Sequence, residues 1–149
     1  MLHWPEFKKA APEIAKIGEM LLYNPKAGEV AIIATVDSKQ RPWVAPFCPV
    51  FTSEGMYILA AAHTPKARQL SVNPAYSAHA LLGPDDLEFQ FAGAVRSVGE
   101  EKERLKVVSA VPFPSFDATD PIFELRIARA LTVTWPEPGK KKQLTWTSP

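Results

Sequence analysis

The segment HTPKARQLSVNP, residues 63–74, holds the chain's most suggestive grouping of donors. Thr64 is a good helix N-cap, Pro65 suits the first helical position, and Asn73-Pro74 ends the short helix. Within it Leu70 and Val72 are expected to pack inward. A helix start presents unpaired N–H groups, and here the Thr64 hydroxyl and the Lys66 ammonium gather around the same point. That is the chemistry by which a helix end holds a phosphate. The same residues also make a plain capped helix with a solvated lysine. One charge-assisted hydrogen bond contributes only about 1–3 kcal/mol, so tight phosphate binding needs further donors.

Other chemistry is sparse. There is no GxGxxG, GxxxxGK[ST] or GxSxG pattern, which argues against a glycine-cradled nucleotide and a serine-hydrolase elbow. His3, His63 and His79 are widely separated and read as core or surface residues rather than metal ligands. Cys48 is the sole cysteine, so an internal disulfide and a thiolate-rich structural zinc site are both excluded. It lies between Phe47 and Pro49 and reads as a small buried hydrophobe. Asp85-Asp86 reads as a turn, and Lys140–Lys142 as a solvated run.

The elements that must hold these residues follow from periodicity. Ile14, Ile17, Leu21 and Leu22 form one apolar stripe, predicting a helix over about 12–22 that Asn24-Pro25 stops. From residue 30 onward the period becomes that of strands. Ala31–Val36, Pro42–Thr52 and Met56–Ala61 are joined by polar turns and suggest an antiparallel meander. Pro46 and Pro49 put the middle segment on an edge or at a bulge. Tyr76–Leu82 and Leu87–Val98 follow, then a helix over Glu100–Ala110, a proline-bearing loop Val111–Pro121 and a long strand Ile122–Trp135. In that strand Phe123, Leu125, Ile127, Leu131, Val133 and Trp135 share one parity, with Glu124, Arg126, Thr132 and Thr134 on the other. Residues 136–149 form a tail, basic and then apolar at Leu144 and Trp146.

The chain has 149 residues, 46% hydrophobic and 22% charged, with a net charge of +1. This predicts one globular domain over residues 1–135 plus the tail, with no general attraction to nucleic acid or anionic lipid. The longest apolar runs are far short of the roughly 20 residues a spanning helix needs. The opening MLHWPEFKKAAPEI lacks the unbroken apolar core of a signal peptide. A cytoplasmic protein is expected, with no membrane or nucleic-acid partner. Six strands, largely antiparallel, with short helices predict a mainly β protein, a small closed barrel with helices filling its gaps, with a sandwich as the rival.

Residues 41–98, from RPWVAPFCPVF through HTPKARQL and VNP to EFQFAGAVRSV, resemble the pyridoxamine 5′-phosphate oxidase-like, FMN-binding split-barrel family. The pieces come in that family's order, and AIIATV with FELRIARALTVTW fit its first and last barrel strands. The small stress-protein-like branch is the most similar. The resemblance implies that the six strands form an antiparallel split β-barrel, and that the protein is a homodimer with a cofactor at the subunit interface, acting as a flavin-dependent oxidoreductase on a small molecule. Thr64 and Lys66 match the phosphate-holding Ser/Thr and Lys, and Ala60 and Ala61 match the strand end beside the flavin. Val44, Ala45, Pro46, Phe47 and Cys48 match the strand along the isoalloxazine edge. Glu88 falls where relatives reach the flavin from the other chain. Two cationic positions of the oxidase correspond to uncharged places near Val44/Ala45 and Pro49/Val50, and a third is Pro65. Arg68, Arg41 and His63 are the nearby candidates to replace them. Vitamin B6 oxidation is not implied, because the oxidase's substrate-binding C-terminal region is not reproduced. The missing cations motivate an alternative: a non-catalytic module on the same dimeric fold, holding a flavin, a deazaflavin or haem.

Overall fold

Alternating apolar residues run through most of the chain, and each such run forms a strand of one antiparallel sheet. The computed structural model describes residues 1–23, 29–112, 117 and 119–149. Its strands are β1 (Ala31–Val36), β2 (Pro42–Phe47), β3 (Val50–Phe51), β4 (Met56–Leu59), β5 (Ala75–Ala80), β6 (Glu88–Ser97), β7 (Ile122–Glu137) and β8 (Lys140–Thr147). The helices are α1 (Trp4–Ala10), α2 (Pro12–Leu22), α3 (Pro65–Val72) and α4 (Glu101–Ser109). Strand order is β2-β1-β5-β6-β7-β4-β3, with β8 also paired to β7.

That order dictates the overall curl. Phe47 ends β2 and Val50 begins β3, so they are three Cα steps apart, at most about 11 Å. Yet β2 and β3 are the two ends of the sheet path. The sheet must bend round until its ends nearly meet, giving a mainly β split barrel with short helices. Pro46 and Pro49 flank the split because neither has an N–H to give to a ladder.

Within the curl, Trp4 and Phe7 of α1 and Ile14, Ala15 and Leu22 of α2 join Ile33, Phe89, Phe91, Leu125 and Ile127 in one core. Phe89 and Phe91 stack at 5.1 Å, and Trp4 meets Phe89 edge-on. At Gly93 a Cβ would lie 1.9 Å from the Arg126 carbonyl oxygen. Only glycine allows the close crossing where β6 shifts register against β7, between Ala92 and Gly93.

Several expectations change. Eight strands replace six, because Pro42–Thr52 breaks into β2 and β3 and because the tail forms β8. The three early strands are no meander: β1 pairs β2 and β3 pairs β4, but β2 and β3 do not pair. The tail docks through Trp146, whose ring sits edge-on to Phe7 at 5.1 Å. The β7–β8 turn uses Gly139 at φ +75, a backbone state that disfavours residues with a Cβ. Val72 is 78% exposed rather than packed inward, while Leu70 is buried. Glu124 and Thr132 are buried despite their polar parity: the register shift against β6 skips Ala128, so the alternation inverts there and Ala130 and Thr132 take the buried side, while Arg129 is exposed. Helix α1 has no counterpart in the sequence reading. The Asn24-Pro25 stop lies outside the described residues, as does most of residues 113–118. No helix among the described residues is long and apolar enough to cross a membrane.

Candidate functional site

Helix α3 is pinned from below by Ala67 and Leu70, both buried, and from the side by the Thr35 hydroxyl of β1, which donates to the Gln69 side-chain carbonyl. This fixes its first turn against the sheet edge. Thr64 caps the helix: its oxygen accepts from the Ala67 N–H at 3.3 Å, and its hydroxyl donates to the Ala61 carbonyl at 2.8 Å. The Thr64 N–H also reaches the Ala61 carbonyl, at 2.9 Å, so residues 61–64 form a tight turn. Ala60 is buried, its N–H bonded to the Pro121 carbonyl at 3.1 Å. The Ala62 N–H is taken by Asp120 Oδ1 at 3.1 Å.

Lys66 points back across to β2, where its Nζ donates to the Pro46 carbonyl at 2.7 Å. Pro46 has no N–H for the ladder to β1, and its carbonyl faces the lysine. Burial lowers the Lys66 pKa, with the nearby Cys48 sulfur opposing that shift. Burial likewise raises the Cys48 thiol, with Lys66 acting the other way. Cys48 is half-buried rather than buried. The result is a partly desolvated ammonium beside a capped helix start and an edge strand. An ammonium has three N–H donors, and the Pro46 carbonyl occupies one of them.

The structure therefore brings Thr64, Lys66, Ala60, Ala61 and the Pro46–Cys48 end of β2 to one corner. Val44 and Ala45 continue along β2, with Val44 64% exposed. Glu88 is not in this corner. It begins β6, three strands from β2 in the sheet order, and its Oε2 lies 3.9 Å from His79 Nε2. Of the replacement cations, Arg41 is committed to Asp37 in the β1–β2 turn, with two contacts of 2.8 Å. That pairing holds the Asp37 carboxyl below its ordinary range. Arg68 stays at the helix start, donating to the His63 carbonyl at 2.5 Å. Sequence reasoning missed Asp120, since only the fold carries the loop before β7 to the β4–α3 turn.

It also missed a second polar cluster, further along the β4–β7 pair, where Tyr57 stands opposite Glu124. Glu124 of β7 is buried and accepts from Arg96 Nε at 2.6 Å and from Arg126 Nε at 3.0 Å. Arg96 also holds Glu103 of α4, which accepts from the Tyr57 hydroxyl at 3.3 Å. Burial pushes the Tyr57 phenol up to about 12, and the Arg96 contact lowers the Glu103 carboxyl. Each charge here has an opposite neighbour, so the cluster ties α4 to the sheet. Among the described residues no group of three or more His, Cys, Asp or Glu could hold a metal ion.

No family model matches the chain, and no curated protein matches it significantly. Solved structures share its fold. A NimC/NimA family protein from Clostridium acetobutylicum superposes with a TM-score of 0.64 at 17% identity, covering 97% of this chain and 95% of that one. A protein related to general stress protein 26, of the pyridoxinephosphate oxidase family and from the same organism, gives 0.63 at 9% identity, covering 95% and 94%. A heme binding protein from Mycobacterium smegmatis gives 0.60 at 16% identity. The match covers 80% of this chain but 53% of the mycobacterial protein, so the chain spans about half of that relative's length. The fold is that of the pyridoxamine 5′-phosphate oxidase-like split barrels, as the strand order from Arg41 to Val98 suggested.

Proposed function

We propose that the corner between α3 and β2 holds the phosphate end of FMN, and that the protein is a flavin-dependent oxidoreductase acting on a small molecule as a homodimer. The observation that carries this is the Lys66 ammonium: half-buried, 2.7 Å from the Pro46 carbonyl, with two N–H donors left for an anion. Thr64 orients the first turn of α3, and the Arg68 guanidinium at the same helix start adds a second positive charge. The Val44–Cys48 edge lies alongside, and its backbone groups that do not face β1 supply fixed dipoles for a flat ring. FMN, when bound, supplies hydride transfer. The chain's own contribution is binding, orientation and exclusion of water. In the dimer Glu88 reaches the cofactor from the second copy, since within one chain it is three strands from β2.

A second reading is a non-catalytic module for a deazaflavin or for haem. Two observations favour it. Arg41 is spent on Asp37, and Asp120 occupies the Ala62 N–H, so the corner is less cationic than a dianion would require. The fold is also shared with a protein described as heme binding. The visible spectrum of the purified full chain separates the readings. A two-banded flavin spectrum, with FMN released on heating, supports the first; an intense Soret band supports the second. Turnover of a reduced nicotinamide with an artificial acceptor then distinguishes an oxidoreductase from a carrier.

A further inference from the structure

The ladder between β4 and β7 stops where Leu59 stands opposite Ile122, yet the two segments stay joined as far as Ala62. The Ala60 N–H donates to the Pro121 carbonyl, and the Ala62 N–H donates to Asp120 Oδ1, each at 3.1 Å. In the second of these a carboxylate stands where a strand would offer a backbone carbonyl. Asp120 is itself held from two sides. Its N–H donates to the Asp117 carbonyl at 2.9 Å, and its Oδ2 accepts from the Asp117 N–H at 3.2 Å. Its own carbonyl accepts from Arg104 Nη2 of α4 at 2.9 Å. The side chain that meets Ala62 is therefore presented by a fastened loop.

Thr64, the cap of α3, lies two residues beyond Ala62, at most about 7 Å of chain. The Asp120 carboxylate thus stands within roughly 10 Å of that cap. Two effects follow, different in kind. The hydrogen bond fixes the path from β4 into Thr64, and with it where the first turn of α3 presents Lys66. The charge opposes those of Lys66 and Arg68, so two positive charges and one negative leave the corner a single net positive charge. A phosphate monoester carries nearly two negative charges near neutrality. Across roughly 10 Å, a unit charge changes the binding of another by about two- to tenfold, depending on how much water lies between.

From this we infer that Asp120 sets the specificity of the Lys66 corner: its carboxylate positions the β4–α3 turn for an anion, while its charge disfavours a second negative charge on that anion. The inference rests on the reading that this corner holds the phosphate end of FMN. Asp120 is a positioning residue, acting through the Ala62 N–H and through its field. The two effects oppose each other, so substitutions that remove one or both have different consequences. Asp120→Asn keeps an oxygen for the Ala62 N–H and removes the charge, giving up only the second acceptor used by the Asp117 N–H. Asp120→Ala removes the charge and both acceptors.

The test is equilibrium titration of the full-length protein and both variants with FMN and with riboflavin, which lacks the phosphate, at low and constant ionic strength. Asp120→Asn is expected to bind FMN about threefold more tightly than the wild type, to lose that gain in about 0.5 M salt, and to leave riboflavin unchanged. Asp120→Ala is expected to bind FMN about fivefold more weakly than Asp120→Asn. Hydrogen exchange of the ligand-free protein should show the Ala62 amide exchanging faster in Asp120→Ala and at the wild-type rate in Asp120→Asn. With a wild type that binds FMN, the inference alone is overturned if Asp120→Asn brings no gain, if riboflavin shares the gain, if the two variants bind FMN alike, or if Ala62 exchanges in Asp120→Ala as in the wild type. A wild type that binds no FMN overturns the phosphate reading, and the inference with it.

Discussion

Lys66 is the residue on which the proposed phosphate site turns, and its consequences are separable from the fold. Replacing it with alanine removes one charge-assisted bond to the ligand and one to the Pro46 carbonyl, which faces water at the edge of β2. Lys66→Ala is therefore expected to weaken FMN by about tenfold or more while the urea midpoint barely moves. Fluorescence-quench titration reads the first, and unchanged FMN affinity would remove Lys66 from the site. The same residue sets a pH dependence. Its pKa is lowered from 10.5 by burial, and the charged form is the one that binds a phosphate. FMN affinity is thus expected to fall as pH rises through that lowered value, below the range of a free lysine. In Lys66→Ala this alkaline limb disappears, and a limb that persisted would belong to another group. Thr64 and Lys66 were legible in the sequence because a cap, a proline and a cation sit within three positions. Asp120 was not, since nothing local links residue 120 to residue 62.

At the scale of elements, edges and close crossings explain which features the sequence showed. Pro46 and Pro49 announced an edge, and the structure places both ends of the sheet path beside them. The tail and α1 were obscure for one shared reason. Trp4, Phe7 and Trp146 are too few and too scattered to show a period, and they are apolar because they pack on one another. Trp146→Ala is accordingly expected to cost about 1–2 kcal/mol, read as a lower urea midpoint, with FMN affinity retained. The alternation of β7 misled at Glu124, where burial is tolerated because Arg96 and Arg126 both reach the carboxylate. Emptying one partner of a fully buried ion pair typically costs about 3–5 kcal/mol. Both arginines here are about 40% exposed and Arg96 also has Glu103, so they can turn to water. Glu124→Gln should therefore cost less, about 1–2 kcal/mol in a urea unfolding series. A value near zero would mean the carboxylate contributes nothing to tying α4 down.

For the whole molecule, the decisive quantity is the number of chains in solution. One chain supplies Thr64, Lys66 and the end of β2 at one corner, but leaves Glu88 on β6, three strands from β2 in the sheet order and beside His79. The β2 side of the barrel is also unusually apolar for a surface, with Trp43 52% and Val44 64% exposed beside Pro46. In the proposed homodimer a second copy packed there would cover those side chains and bring its own Glu88 toward the first copy's corner. Sedimentation equilibrium is expected to give a mass about twice the 16.4 kDa of the chain. Val44→Glu places a charge in each half of a two-fold contact, where like charges face one another and lose their water. It is expected to shift the protein toward single chains and to weaken FMN with it, although Val44 is not a phosphate ligand. A variant that becomes a single chain yet binds FMN as before would show that one barrel suffices, and the shared-site reading would be lost while Lys66 kept its role.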